Sequence, residues 1–153
     1  MAVIERAIKK GVHLLLVGPP GAGKTHAVEE TAREMEIPVV KTTGEALQNP
    51  VDFAELVELA SDKGGVVFVD EIHAMPRQVQ EAALTALEEY KMYFPGAVIL
   101  LPRFVCVAAT TNPEALFPPL RERFFRIFIP YKSKGEMVEI VGELCKRMGV
   151  IAD

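Results

Sequence analysis

The chain has 153 residues, 50% of them apolar and 25% charged, which is enough for one buried core and excludes an intrinsically disordered chain. A net charge of −4 excludes a self-sufficient DNA-binding domain, because an acidic surface gives no general attraction to phosphate. The longest apolar runs fall short of the roughly 20 residues a membrane span needs, and the N-terminus lacks the order of a signal peptide, so the sequence reads as soluble, cytoplasmic and without a membrane partner.

Residues 12–17 form the first predicted strand, followed by a glycine-rich turn and a predicted helix over 24–36. The second predicted strand is 39–41. Asn49 and Pro50 then supply an N-cap and first-turn pair for a helix over 51–61, with Phe53, Leu56, Val57 and Ala60 on one face. After a third strand at 66–69, Pro76 opens a helix. On it Val79, Ala83, Ala86, Leu87 and Tyr90 recur at helical spacing, while Arg77, Gln80, Glu81, Glu88 and Glu89 stay polar. Residues 92–101, with Pro95-Gly96 in their middle, read as a short hairpin or protruding loop. Strands at 104–109 and 126–129 complete the set, and 136–148 is a final helix beyond the sheet. Strands separated by crossover helices pair in parallel, which gives an α/β fold of three layers with a five-stranded sheet and ligands at the carboxyl ends of the strands. Cys106 and Cys145 lie far apart without ligand spacing and read as small buried hydrophobes.

Gly18-Pro19-Pro20-Gly21-Ala22-Gly23-Lys24-Thr25 satisfies G-x-x-x-x-G-K-[ST] between a strand and a helix, the arrangement of a phosphate-binding loop. Backbone N–H groups and the helix N-terminus surround phosphates there; Lys24 reaches the β- and γ-phosphates, and the Thr25 hydroxyl binds Mg²⁺. The nucleotide-contacting stretch runs on to His26. The strand 66–69 delivers Asp70 and Glu71 to its carboxyl end, Asp70 suited to Mg²⁺ and Glu71 to polarising an attacking water. At the end of the next strand, Thr111 or Asn112 is placed to orient that water or sense the γ-phosphate. Arg121 and Arg123 sit on a short exposed segment before the last strand, as an arginine finger would. His73 reads as a packing residue ahead of a relay. His13 and His26 have no ligand-spaced companions.

In this order and at these separations, GPPGAGKT, VVFVDEIH, AATTN and PLRERF resemble the AAA+ ATPases over almost the whole chain, and within them the RuvB family of Holliday-junction branch-migration motors. The resemblance implies an AAA+ core over 1–130 and the first helix of an incomplete lid over 131–153. It implies Mg²⁺-dependent ATP hydrolysis in a homo-oligomeric ring, a hexamer being a candidate size, that remodels DNA through parts outside this stretch. Arg123, with Arg121 as second choice, would act on a neighbouring subunit's nucleotide. Tyr131 would lie near the nucleoside, and Glu88 to Tyr90 near the subunit boundary. Two other readings stay open: a protein-remodelling ATPase, although the loop Thr42-Thr43-Gly44-Glu45 lacks an aromatic residue, and a nucleotide-binding module idle without its lid. Eleven residues separate Tyr90 from Pro102, fewer than in the RuvB hairpin that docks RuvA.

Overall fold

The computed structural model describes residues 2–130, so the predicted helix over 136–148, Tyr131 and Cys145 lie outside the described residues. In chain order the elements are α1 (Ala2–Lys10), β1 (Leu14–Val17), α2 (Lys24–Glu34), β2 (Val39–Thr43), α3 (Pro50–Asp62), β3 (Val66–Asp70), α4 (Arg77–Glu89), β4 (Lys91–Phe94), β5 (Ala97–Leu100), β6 (Cys106–Thr110), α5 (Pro118–Arg121) and β7 (Phe125–Phe128). Single 3-10 turns at Gly44–Ala46, Ile72–Ala74 and Pro113–Ala115 link them.

Five strands form one parallel sheet in the order β2-β3-β6-β1-β7, while β4 and β5 pair antiparallel as a separate hairpin. β1, β3 and β6 are buried on both faces except at Asp70, which is why they read as continuous apolar runs rather than alternating ones. The period of two still divides them. Leu15, Val17, Val67, Val69 and Ala108 face α3, α4 and α5, whereas Leu14, Leu16, Phe68, Val107 and Ala109 face α1 and α2. Each large aliphatic side chain removed from water in this way contributes about 1.5–3 kcal/mol.

The predicted three-layer fold and its five parallel strands are therefore present, with local differences. α1 carries no counterpart in the predicted elements; its Val3, Ile4, Ala7 and Ile8 are buried under the sheet. Val12 is exposed, its N–H closing α1 on the Ala7 carbonyl, so β1 starts only at Leu14. β6 and β7 are each displaced from the expected 104–109 and 126–129, since Phe104 packs as a core aromatic ahead of the ladder and Phe125 enters it by donating to the His13 carbonyl. α2 stops at Glu34 rather than 36 because Glu36 turns left-handed (φ 58°). Tyr90 is not helical: with φ 55° it caps α4, its N–H on the Ala86 carbonyl. α3 begins as expected, with Asn49 and Asp52 forming a reciprocal capping box. Among the described residues no helix is long and apolar enough to cross a membrane.

Candidate nucleotide-binding site

The order of the sheet places β6 between β1 and β3, so the residues after β1, β6 and β3 meet at one edge. Its register aligns Val17 with Thr110 and Val69 with Ala108. The chain leaves β1 through Gly18, whose N–H donates to the Thr110 carbonyl. A Cβ at Gly18 would stand 2.2 Å from the Ile129 carbonyl oxygen, so only glycine lets the loop start beside the end of β7. Gly23 (φ 87°) then turns the loop into α2.

Pro20 to His26, Glu29, Asp70, Glu71 and Thr111 line one cavity of about 630 Å³. Lys24 is buried at its floor, and its Nζ donates to the carbonyls of Gly18 (2.6 Å) and Pro19 (2.9 Å). Burial pushes its pKa down, against the pull of Glu71 and Asp70, which favour the charged form. Gly18 and Pro19 do not line the cavity and meet Lys24 through their carbonyls. Thr25 and Asp70 offer a hydroxyl and a carboxylate to the same space, the hard oxygen donors that suit Mg²⁺. His26 lines the rim but directs Nε2 to Glu30 at 3.1 Å.

Glu71 occupies the left-handed region (φ 50°, ψ 52°), an uncommon conformation for a residue with a side chain, at the step from β3 into the turn Ile72–Ala74. Its N–H donates to Asp70 Oδ1 (3.0 Å), and its own Oε2 accepts from Thr111 Oγ1 (3.0 Å). His73 completes the group, with Nε2 3.4 Å from Glu71 Oε2 and Nδ1 hydrogen-bonded to Thr110 Oγ1 at 2.6 Å. Of the two expected sensor residues, it is Thr111 that meets Glu71. Asn112 is exposed and does not line the cavity; its backbone N–H donates to Thr110 Oγ1 and its carbonyl accepts from Ala115 N–H. Thr110 and Glu29 were not among the expected site residues. The buried hydroxyl of Thr110 at a strand terminus was the available signal, since such a group requires a partner.

Neither Arg121 nor Arg123 lines the cavity. Arg121 Nη1 donates to the Pro113 carbonyl (3.1 Å) and lies 3.5 Å from Glu114, while Arg123 Nε donates to Glu88 Oε1 (2.6 Å).

A phosphate loop on β1 facing paired carboxylates on β3, across a central β6, defines the P-loop nucleoside-triphosphatase fold. Residues 2–128 match the model of the Holliday junction DNA helicase RuvB P-loop domain, and the chain belongs to that family. It is 36% identical over 162 residues to the RuvB subunit of the Holliday junction branch migration complex of Bifidobacterium longum, covering 98% of this chain and 46% of that protein. The corresponding subunit of Bifidobacterium adolescentis is 35% identical, with 96% and 44% covered. The RuvB Holliday-junction branch-migration motor of Thermotoga maritima superposes with a TM-score of 0.65 at 32% identity, covering 96% of this chain and 48% of that one. The chain thus spans about half the length of the relatives it matches.

Proposed function

We propose that this chain is the Mg²⁺-dependent ATPase core of a RuvB-like ring that moves branched DNA in the cytoplasm. The observation that carries the reading is the convergence of Lys24, Thr25, Asp70, Glu71 and Thr111 on one cavity. In it, the N–H groups of 21–25 and the Lys24 ammonium bind the phosphates of ATP. Thr25 and Asp70 hold Mg²⁺, which when bound neutralises phosphate charge and acts as a Lewis acid. Glu71 takes the proton of the attacking water. Thr111 engages one carboxylate oxygen of Glu71 and leaves the other to that water. Arg123 is the finger that acts on the neighbouring subunit's nucleotide. Arg121, the second choice, has its guanidinium tip engaged by Pro113 and Glu114. Tyr131 is proposed beside the nucleoside on family resemblance alone, as is the division of core from lid at 131.

ATP turnover measured with four-way-junction DNA, linear duplex or an unfolded protein separates the readings. Stimulation by the junction above the other two supports the DNA motor; stimulation only by unfolded protein overturns it in favour of protein remodelling. Binding without turnover under every condition identifies an idle module. Action in trans has its own test: Lys24→Ala subunits keep a finger but cannot bind ATP, and Arg123→Ala subunits bind ATP but lack a finger. Mixing two inactive variants restores part of the activity if the finger crosses between subunits, and no recovery at any ratio rules that out.

A further inference from the structure

We propose that Glu88 positions the Arg123 finger from within its own chain, presenting the guanidinium tip to the neighbouring subunit's phosphate. The proposal rests on the finger reading given above.

The backbone around Arg123 is fixed. Leu120 and Phe124 on either side are buried, and the Arg123 N–H donates to the Leu120 carbonyl. Only the side chain is at liberty, and a long, half-exposed arginine loses considerable rotamer freedom when it engages a phosphate. Glu88, in the last turn of α4, removes that freedom beforehand by accepting from Nε at 2.6 Å. An exposed ion pair of this kind adds little to folding stability, so orientation is what it supplies.

Which nitrogen is engaged matters. Guanidinium presents donors along two edges, and a phosphate is gripped best by two parallel N–H groups. Glu88 holds Arg123 by the inner nitrogen, Nε, and its two terminal nitrogens make no hydrogen bond among the described residues. In Arg121 the arrangement is reversed: the terminal Nη1 is the engaged atom. One arginine is therefore held by its tip and turned inward, the other by its root and turned outward. The acid that does the holding stands on the helix that follows Glu71. α4 begins six residues after Glu71, is 13 residues long, about 20 Å at 1.5 Å per residue, and carries Glu88 in its last turn.

The test compares ATP turnover and ATP affinity of the assembled wild type, Glu88→Ala, Glu88→Gln, Glu88→Asp, Arg123→Ala and Glu88→Ala/Arg123→Ala. Expected are a fall of 10³-fold or more in kcat for Arg123→Ala and a fall of about tenfold for Glu88→Ala with KM for ATP unchanged. Glu88→Gln should be intermediate, Glu88→Asp should recover part of the loss, and the double variant should be no slower than Arg123→Ala. Mixed with Lys24→Ala subunits, Glu88→Ala subunits should regain turnover beyond the sum of the separate populations, because the defect lies in what a subunit offers its neighbour. A merely structural role for Glu88 would not produce that recovery. Wild-type kcat in Glu88→Ala beside an impaired Arg123→Ala overturns the positioning role and leaves the finger standing. So does a Glu88→Ala defect that multiplies with that of Arg123→Ala, or one expressed in KM. If Arg123→Ala itself turns over like wild type, the finger reading fails first and the positioning role with it.

Discussion

The two edges of the parallel sheet each hold a cavity of similar size, about 630 Å³ at the carboxyl ends and about 510 Å³ at the amino ends, yet they differ in kind. At the amino edge two of the three lining cations are engaged locally: Lys9 with Glu5 at 2.9 Å, and Arg103 over the ring of Tyr90 at 4.8 Å. At the carboxyl edge a glycine loop, a buried ammonium, two carboxylates and a threonine hydroxyl open onto one space. Volume does not separate a site from a gap between elements. Strand polarity does, because parallel strands bring every loop that follows a strand to one edge and the helix N-termini with them.

That contrast breaks if chemistry at the carboxyl edge survives loss of its groups, and the largest effect is expected there. Glu71→Gln keeps size and hydrogen-bonding capacity but cannot take a proton, so single-turnover hydrolysis should fall 10²- to 10⁴-fold while ATP stays bound. Next, Lys24→Ala should abolish ATP binding in calorimetry, a loss of at least about 10²-fold in affinity, or about 3 kcal/mol and more for a charge-assisted contact. Lys10→Ala, on the wall of the other cavity, should leave it unchanged.

The amino edge should report instead through folding. His13 is buried there beside Phe104, its Nδ1 accepting the Cys106 N–H at 3.1 Å, and burial pushes its pKa from 6.5 down to about 4. The folded state holds the imidazole neutral while the unfolded chain takes up a proton below pH 6.5. Stability is therefore full above 6.5 and is lost as pH falls toward 4, by up to about 3 kcal/mol for a shift of this size. Denaturant titrations across pH 4–7 check this, and His13→Leu should flatten the acid limb while lowering the neutral plateau by about 1–3 kcal/mol, as Cys106 N–H loses its acceptor. The smallest effect sharpens the comparison most. A Cβ would meet a backbone carbonyl at 2.2 Å in Gly18→Ala and at 2.3 Å, from Pro38, in Gly65→Ala. Both should lower stability by about 1–3 kcal/mol, but only Gly18→Ala should also lower ATP affinity.

The residues that line the carboxyl edge were legible because they stand in local strings: a turn that needs glycines, then lysine and threonine, and a strand that ends in two acids. The sheet order was not, since nothing in the period of β6 states that it inserts between β1 and β3. α1 left only a short trace, Val3-Ile4 and Ala7-Ile8, ahead of the first strand, where no crossover called for a helix. Thr111 and Asn112 are equivalent as polar residues after a strand, and the contact that sets Thr111 apart, with Glu71 40 residues away, leaves no trace in their spacing. Arg121 and Arg123 likewise diverge through partners, Glu114 and Glu88, that spacing along the chain does not reveal.

Glu71 carries one more consequence. Its left-handed backbone is a conformation that glycine adopts without cost and glutamate does not. Replacing it by glycine should therefore raise the melting temperature even as turnover is abolished, a gain of up to about 1 kcal/mol. The position the proposed chemistry depends on is thus one where durability and turnover pull in opposite directions, so a variant chosen for heat resistance alone would lose the acid.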